Sequence, residues 1–211
     1  MVTELKANGK PFVHYHAAHC ESGVTSALLR DKGMDISEPM VFGIGSGIFF
    51  GYLPFMKMTG LPITTFRAAP GSIFRKTAKR LGADFVTKKF RNPQNGMDEL
   101  KQVLKTRQLV GLIRWVEEVG TGGGGFRYMY AAFLQEAAQL FGSGELADLS
   151  KEMNAIGDSW RAFSVTAARI VKQRNKEKET FAKAGGLMLI CAGREENFFK
   201  DLGKVVGKLK T

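Results

Sequence analysis

The sequence predicts an α+β N-terminal part followed by an all-α C-terminal part. Up to about residue 113, short apolar runs typical of strands alternate with amphipathic helical segments. Beyond that point, apolar residues recur at helical spacing. With 211 residues, of which 44% are hydrophobic and 24% charged, the chain suffices for one or two compact domains. We therefore predict two domains, residues 1–113 and 114–211.

Composition excludes several classes of protein. The hydrophobic content argues against a disordered chain, and two cysteines, Cys20 and Cys191, do not make a disulfide framework. Charged residues interrupt every stretch long enough to span a bilayer, and the first ten residues contain no apolar signal core. We expect a cytoplasmic protein that is not associated with membranes.

The first elements are marked by their periodicity and end signals. Residues 11–17 alternate as in a short strand, and a helix follows from about Cys20 until Gly33. Ser37, followed by Glu and Pro, is typical of a helix N-cap and first turn. The apolar, glycine-rich residues 43–54 favour a loop or close backbone packing over a regular helix.

Strands and helices continue to alternate through the rest of the first half. We predict strands at residues 61–67, 83–90 and 108–113, and helices at 72–81 and 97–106. The second half opens with GTGGGG at residues 120–125, which we interpret as the lead-in to a helix, since no Lys-Ser/Thr follows as in a phosphate-binding loop. Helices are then predicted at 126–141, 145–156, 159–178 and 195–209, with an apolar run at 185–192.

The net charge of +11 is concentrated in a basic stretch, residues 67–91. It holds eight Lys and Arg residues against Asp84 alone. Such a stretch is either a solvated helix face or a surface that attracts an anionic partner, such as nucleic acid or an acidic protein. The chain shows neither zinc-finger spacing nor an RNA-binding sheet signature, so nucleic-acid binding is disfavoured.

Cys20 is the leading candidate for chemistry. A helix N-terminus stabilises a thiolate, and a neighbouring histidine is the usual activator of a cysteine nucleophile. The three histidines of the chain, His14, His16 and His19, all lie within six residues of Cys20. The alternative is a structural buried cysteine, which is what we expect of Cys191 in its apolar run.

A metal site is a weaker alternative at the same place. His14 and His16 point to one face of a strand and, with Cys20, would supply three zinc ligands. The sequence offers no nearby fourth ligand. We therefore expect no metal and no cofactor.

Two separated motifs resemble one known family. The segment HYHAAHCESGVTSALLRDKGMDISEPMVFGIGSGIFFGY is similar to the N-terminal domain of the butirosin biosynthesis protein H family. The later segments VGTGGGGFRYMYAAFLQEA and GDSWRAF resemble the helical domain that accompanies it. The motifs occur in the same order and cover most of the chain.

The resemblance implies a papain-like fold for the N-terminal part. It also implies a catalytic function. It implies that Cys20 is a nucleophile and that His14 is an oxyanion donor, at the position where related cysteine peptidases carry glutamine. The better-understood family member transfers an aminoacyl group from a carrier-protein thioester to an amine. The resemblance thus suggests a cysteine-dependent acyltransferase or thiol hydrolase, with an acyl carrier protein docked on residues 67–91 and a small-molecule amine as acceptor.

The chain departs from the family pattern in one respect. A papain-like site needs a histidine base on a later strand, and no histidine follows His19. The strands that carry it in the family are missing between residues 112 and 120, so the papain-like part is incomplete. The alternative is therefore a non-catalytic member that binds a carrier protein or a small acyl ligand. An open sheet edge or a borrowed histidine would favour a homodimer.

Further contacts with substrate are assigned to residues around these motifs. They are His19 and Glu21 beside the cysteine, Gly45 and Gly47 of the glycine-rich segment, and Arg127. Arg127 suits a carboxylate or phosphate of the substrate, or alternatively a surface ion pair.

Overall fold

The computed structural model describes residues 5–7, 10–13, 15–58, 61–66, 68–83, 116–117, 123–172 and 179–209. These residues form mostly helices, with two short hairpins in the N-terminal part. An α+β N-terminal part therefore precedes a helical C-terminal part, as predicted. None of the described helices is both long and apolar enough to cross a membrane.

The strands of the described residues form two separate antiparallel pairs. Strand β1 (Leu5–Ala7) pairs with β2 (Lys10–Phe12), and β3 (Gly51–Met58) pairs with β4 (Leu61–Thr65). The strand predicted at 61–67 is confirmed as β4. The strand predicted at 11–17 is wrong for most of its length, because the regular pairing ends at Phe12.

Three helices of the N-terminal part begin where the sequence signals them. Helix α1 (Cys20–Asp31) starts at the cysteine, and α2 (Glu38–Ile44) follows Ser37, whose hydroxyl accepts a bond from the amide of Met40 at 3.2 Å. Helix α3 (Ser72–Arg80) buries one apolar side and leaves its basic residues exposed. These starts are confirmed as predicted.

In the described residues, the C-terminal part consists of three helices. A single 3₁₀ turn (Gly124–Phe126) leads into α4 (Arg127–Phe141), which is followed by α5 (Gly144–Val171) and α6 (Phe181–Leu209). The break predicted between helices at 145–156 and 159–178 is wrong, since α5 continues across it to Val171; residues 173–178 lie outside the described residues. The predicted start of a terminal helix at 195 is also wrong, since α6 begins at Phe181.

Gly157 explains the error in α5. It lies inside the helix, and the ring of Tyr128 occupies the space that a side chain there would need. A Cβ atom at Gly157 would lie 2.8 Å from Tyr128 Cε1, and one at Gly124 would lie 3.1 Å from Gly157 Cα. This glycine permits close packing and does not end the helix.

A continuous hydrophobic core connects the two parts of the chain. Val41 and Phe42 of α2 and Phe66 after β4 belong to the same cluster as Phe126 and the buried residues of α4, α5 and α6. Ser37 also donates a hydrogen bond to Glu136 of α4 at 2.5 Å. The boundary predicted at 113/114 and the elements predicted between residues 84 and 113 lie outside the described residues.

Candidate functional site

Cys20 is exposed at the first position of α1. The other cysteine, Cys191, is completely buried in α6. Burial, together with the carboxylate of Glu195, raises the pKa of the Cys191 thiol to about 11. The two thiols therefore differ in accessibility, and reagents in solution distinguish them.

His19 caps the helix that Cys20 begins. Its Nδ1 accepts a hydrogen bond from the backbone amide of Ser22 at 3.2 Å. The ring packs edge-on against Phe126 and Phe42, with centroid distances of 5.0 and 5.8 Å. The imidazole is buried, so the contact with substrate assigned to His19 would require this cap to open.

Glu38 holds the turn that precedes the cysteine. Its carboxylate accepts hydrogen bonds from the amides of Ala18 and His19 at 3.1 and 2.8 Å, and from the Ser22 hydroxyl at 3.0 Å. Three donors from one turn thus converge on a side chain of α2. Since bonds to a charged acceptor are the stronger kind, the backbone around Cys20 is held rigidly against α2.

Glu21 connects the same turn to α3. One carboxylate oxygen accepts a bond from the amide of Gly71 and the other from that of Phe74, each at 3.0 Å. The N-cap residue of α3 is Gly71, which has no side chain to cap the helix. Glu21, on α1, therefore caps the N-terminus of α3. A contact between Glu21 and substrate, as predicted from the sequence, would compete with these two hydrogen bonds to backbone amides.

Gly45 and Gly47 serve packing at the end of α2. A Cβ atom at Gly45 would lie 2.5 Å from Ile73 Cγ2, and one at Gly47 would lie 2.4 Å from the ring of Phe42. Both glycines are buried. The spacing GIGSG therefore allows close contacts with α3 and with α2 itself.

Arg127 lies in the core. Its guanidinium binds Glu195 at 2.8 and 3.0 Å and the carbonyl oxygen of Gly125 at 2.6 Å. It also lies 5.1 Å from the ring centroids of Phe66 and Trp160. Of the two roles suggested by the sequence, Arg127 therefore has the ion pair. The pair lies in the interior and not at the surface, since only 1% of the Arg127 side chain is exposed.

The glycine-rich segment forms the lead-in to α4, as expected. Gly123, Gly124 and Gly125 all have positive φ, a region that glycine enters without strain. Phe126 follows with φ of 69°, which is unusual for an aromatic residue. This backbone path puts the Phe126 ring in contact with His19.

Two adjoining cavities flank α1. A cavity of about 420 Å³ is lined by Val13, Tyr15, Ala27, Arg30, Asp31 and Asp35. A smaller one of about 190 Å³ shares Tyr15, Ala27 and Arg30 and extends to His16 and Glu38. Cys20 lines neither of them. Sequence reasoning missed these lining residues, since they become neighbours only when the segment before α1 folds against its flank.

Among the described residues, no side chain forms a hydrogen bond with the Cys20 thiol. In this part of the chain no hydrogen bond from a histidine reaches Cys20, and Glu21 and Glu38 are bonded to backbone amides. His14 lies outside the described residues. No group of three His, Cys, Asp or Glu side chains placed to hold a metal ion occurs in the described ranges.

The basic stretch is described only over α3 and its flanks. Arg75, Lys76 and Lys79 are exposed there. Arg80 donates hydrogen bonds to the carbonyl oxygen of Ile44 and, at 2.9 Å, to the Ser46 hydroxyl. Exposed cations thus line one side of a helix whose N-terminus is bonded to Glu21.

The comparisons match the chain to a biosynthesis-related family. Residues 19–119 match the family Butirosin biosynthesis protein H, N-terminal, and residues 88–202 match a domain of unknown function, DUF4872. The chain belongs to the butirosin biosynthesis protein H-like family. No curated protein and no solved structure matches it.

Proposed function

We propose that the protein is a cysteine-dependent acyltransferase, or a related thiol hydrolase, with Cys20 as its nucleophile. The observation that carries the proposal is the exposed thiol at the first position of α1. Helix N-termini favour negative charge, which suits both a thiolate and an oxyanion. In this proposal the N-terminal part is an incomplete papain-like domain, and His14 is a second oxyanion donor.

The reaction transfers an acyl group in two steps. The Cys20 thiolate attacks the carbonyl carbon of a thioester, a new C–S bond forms, and the donor leaves as a thiol after taking up a proton. The amine of a small molecule then attacks the acyl-Cys20 thioester and forms an amide. Its proton is lost to solvent or a base, and Cys20 is released. Water in place of the amine gives hydrolysis.

An acidic acyl carrier protein is the proposed donor. The exposed cations Arg75, Lys76 and Lys79 offer it a complementary surface. Helix α3, which carries them, begins at amides bonded to Glu21, the residue after the nucleophile. The docking surface and the thiol therefore lie on elements that are directly connected.

A non-catalytic binding role is the second candidate. Its supporting observation is that His19 and the two glutamates nearest Cys20 are engaged in holding backbone amides. Without a base, the thiol would react slowly, since general-base assistance contributes roughly 10²–10⁴-fold. Such a protein would hold an acylated partner without turning it over.

Intact-protein mass spectrometry after incubation with an acyl thioester of N-acetylcysteamine tests the proposal. We expect one acyl adduct on the wild type and on Cys191→Ala, and none on Cys20→Ala. Cys191→Ala is the matched control because the buried thiol contributes no exposed nucleophile. An adduct that persists in Cys20→Ala contradicts the proposal. An unmodified wild type under the same conditions supports the binding role instead.

A further inference from the structure

The segment that leads into α1 folds back along the flank of that helix. A Cβ atom at Gly23 would lie 2.1 Å from the Cβ atom of Ala17. Because Gly23 has no side chain, the backbone before α1 packs directly against the helix at this point. His16, the residue before Ala17, is therefore held beside α1, and it is exposed to solvent.

The smaller of the two cavities beside α1 lies between this segment and the helix. His16 and Glu38 line its volume of about 190 Å³, together with Gly23 and Ala27 of α1. These two helical residues follow Cys20 by three and seven positions, so they share its side of the helix. Gly23 lies one turn from Cys20, about 4.5 Å along the helix axis. The cavity is thus within one helical turn of the residue that carries the exposed thiol.

The charged groups that line this cavity are engaged elsewhere. The Glu38 carboxylate accepts three hydrogen bonds from the turn that precedes α1 and its first residues. Arg30 pairs with Asp35 at 3.4 Å. A neutral imidazole has one ring nitrogen that accepts a proton, and histidine is the side chain that exchanges protons near neutral pH. His16 is therefore the lining residue best suited to take up a proton.

We propose that the amine acceptor binds in this cavity and that His16 is the base that takes its proton, which rests on the proposed acyl transfer through Cys20. The amine nitrogen attacks the carbonyl carbon of acyl-Cys20 and a C–N bond forms, while the proton of the amine passes to the free ring nitrogen of His16. The C–S bond then breaks, and the imidazolium returns the proton to the sulfur. The products are an amide, a thiol and a neutral imidazole.

His16 supplies a function that a papain-like site draws from a later strand, since no histidine follows His19 in this chain. It precedes the cysteine in sequence and reaches the flank of α1 because the segment before the helix folds back onto Gly23. The exposed imidazole suits an acceptor that enters from solution after the donor thiol has left. A base at this position acts on the second step of the transfer and not on the first.

The decay of acyl-Cys20 tests the role of His16. The wild type and His16→Ala are acylated with the acetyl thioester of N-acetylcysteamine and mixed with glycinamide, and intact-protein mass spectrometry follows the adduct. The rate of acylation should be unchanged, because His16 acts on the acceptor. Loss of the adduct to glycinamide should slow by about 10²-fold in His16→Ala. Added imidazole should restore most of that rate, since the shortened side chain leaves room for it.

Tyr15→Ala is the matched control, because Tyr15 is exposed, lines the same cavity and leaves space when it is shortened. Imidazole should accelerate adduct loss in this variant no more than in the wild type. Equally fast decay in wild type and His16→Ala overturns the role of His16 and leaves the proposed function intact. So does a slow decay that imidazole does not restore. A wild type that forms no adduct contradicts the proposed function, and the role of His16 with it.

Discussion

Glu38 and Glu195 each gather several hydrogen bonds, but from different kinds of donor. Glu38 accepts from two backbone amides and a hydroxyl in the turn before Cys20. Glu195 accepts from the guanidinium of Arg127 and the indole of Trp160 in the helical part. The first carboxylate holds a backbone in place at the protein surface. The second neutralises a cation that the core has enclosed.

The difference between these two regions bears on where variation is tolerated. A partly exposed carboxylate can be replaced by water at moderate cost. A buried cation that loses its counter-charge has no such substitute. The helical part is therefore the more fragile of the two, although the N-terminal part carries the candidate chemistry.

The largest expected effect is on the buried pair. Glu195→Ala should lower the free energy of unfolding by about 3–5 kcal/mol, since it leaves Arg127 buried without its partner. Urea denaturation measures the change. Asp201→Ala on the same helix is the control, and because its pair with Lys204 is exposed, about 0.5 kcal/mol or less is expected. A loss below about 1 kcal/mol at Glu195 would contradict the fragility of this region.

A smaller effect is expected at the surface carboxylate. Glu38→Ala should cost about 1–3 kcal/mol, because three donors lose a charged acceptor but regain water. The turn before Cys20 should also loosen, so the rate at which iodoacetamide alkylates Cys20 should change while Cys191 stays protected. An unchanged rate, with the folded state preserved, would show that Glu38 does not position the thiol.

The smallest effect concerns the residue that joins the two regions. Phe126 has φ of 69°, its ring contacts His19, and it directly precedes Arg127 in the sequence. Phe126→Gly should be more stable than Phe126→Ala by about 1 kcal/mol, because only the alanine keeps a Cβ in a left-handed conformation. The same pair of substitutions at Leu140, inside α4, should give the reverse order. The thermal unfolding midpoints of the four variants measure both differences in stability.

Local signals were sufficient for the helix starts. The cysteine that opens α1, the Ser37 cap and the amphipathic pattern of α3 depend on neighbours in sequence. The helix break predicted near Gly157 is wrong because this glycine packs against Tyr128, which lies far away in sequence. The start of α6 was predicted too late, at residue 195, because residues 184–193 are apolar on two sides of the helix and therefore show little helical periodicity.

The candidate site was predictable in its nucleophile but not in its support. A cysteine after a histidine at a helix start was visible in the sequence. That His19 faces Phe126, and that Glu21 bonds to α3, depends on residues 50 and more positions away. Arg127 illustrates the same limit, because a charged residue at a helix start gives no sign of a partner 68 positions later.

The two bonds from Glu21 to α3 also provide a spectroscopic reporter. The amides of Gly71 and Phe74 depend on a carboxylate that adjoins Cys20 along the chain. Any event that shifts the start of α1, such as acylation of the thiol, alters those two bonds. The chemical shifts and exchange rates of these two amide protons in an NMR spectrum should therefore change when Cys20 is acylated, although both amides belong to α3 and its N-cap.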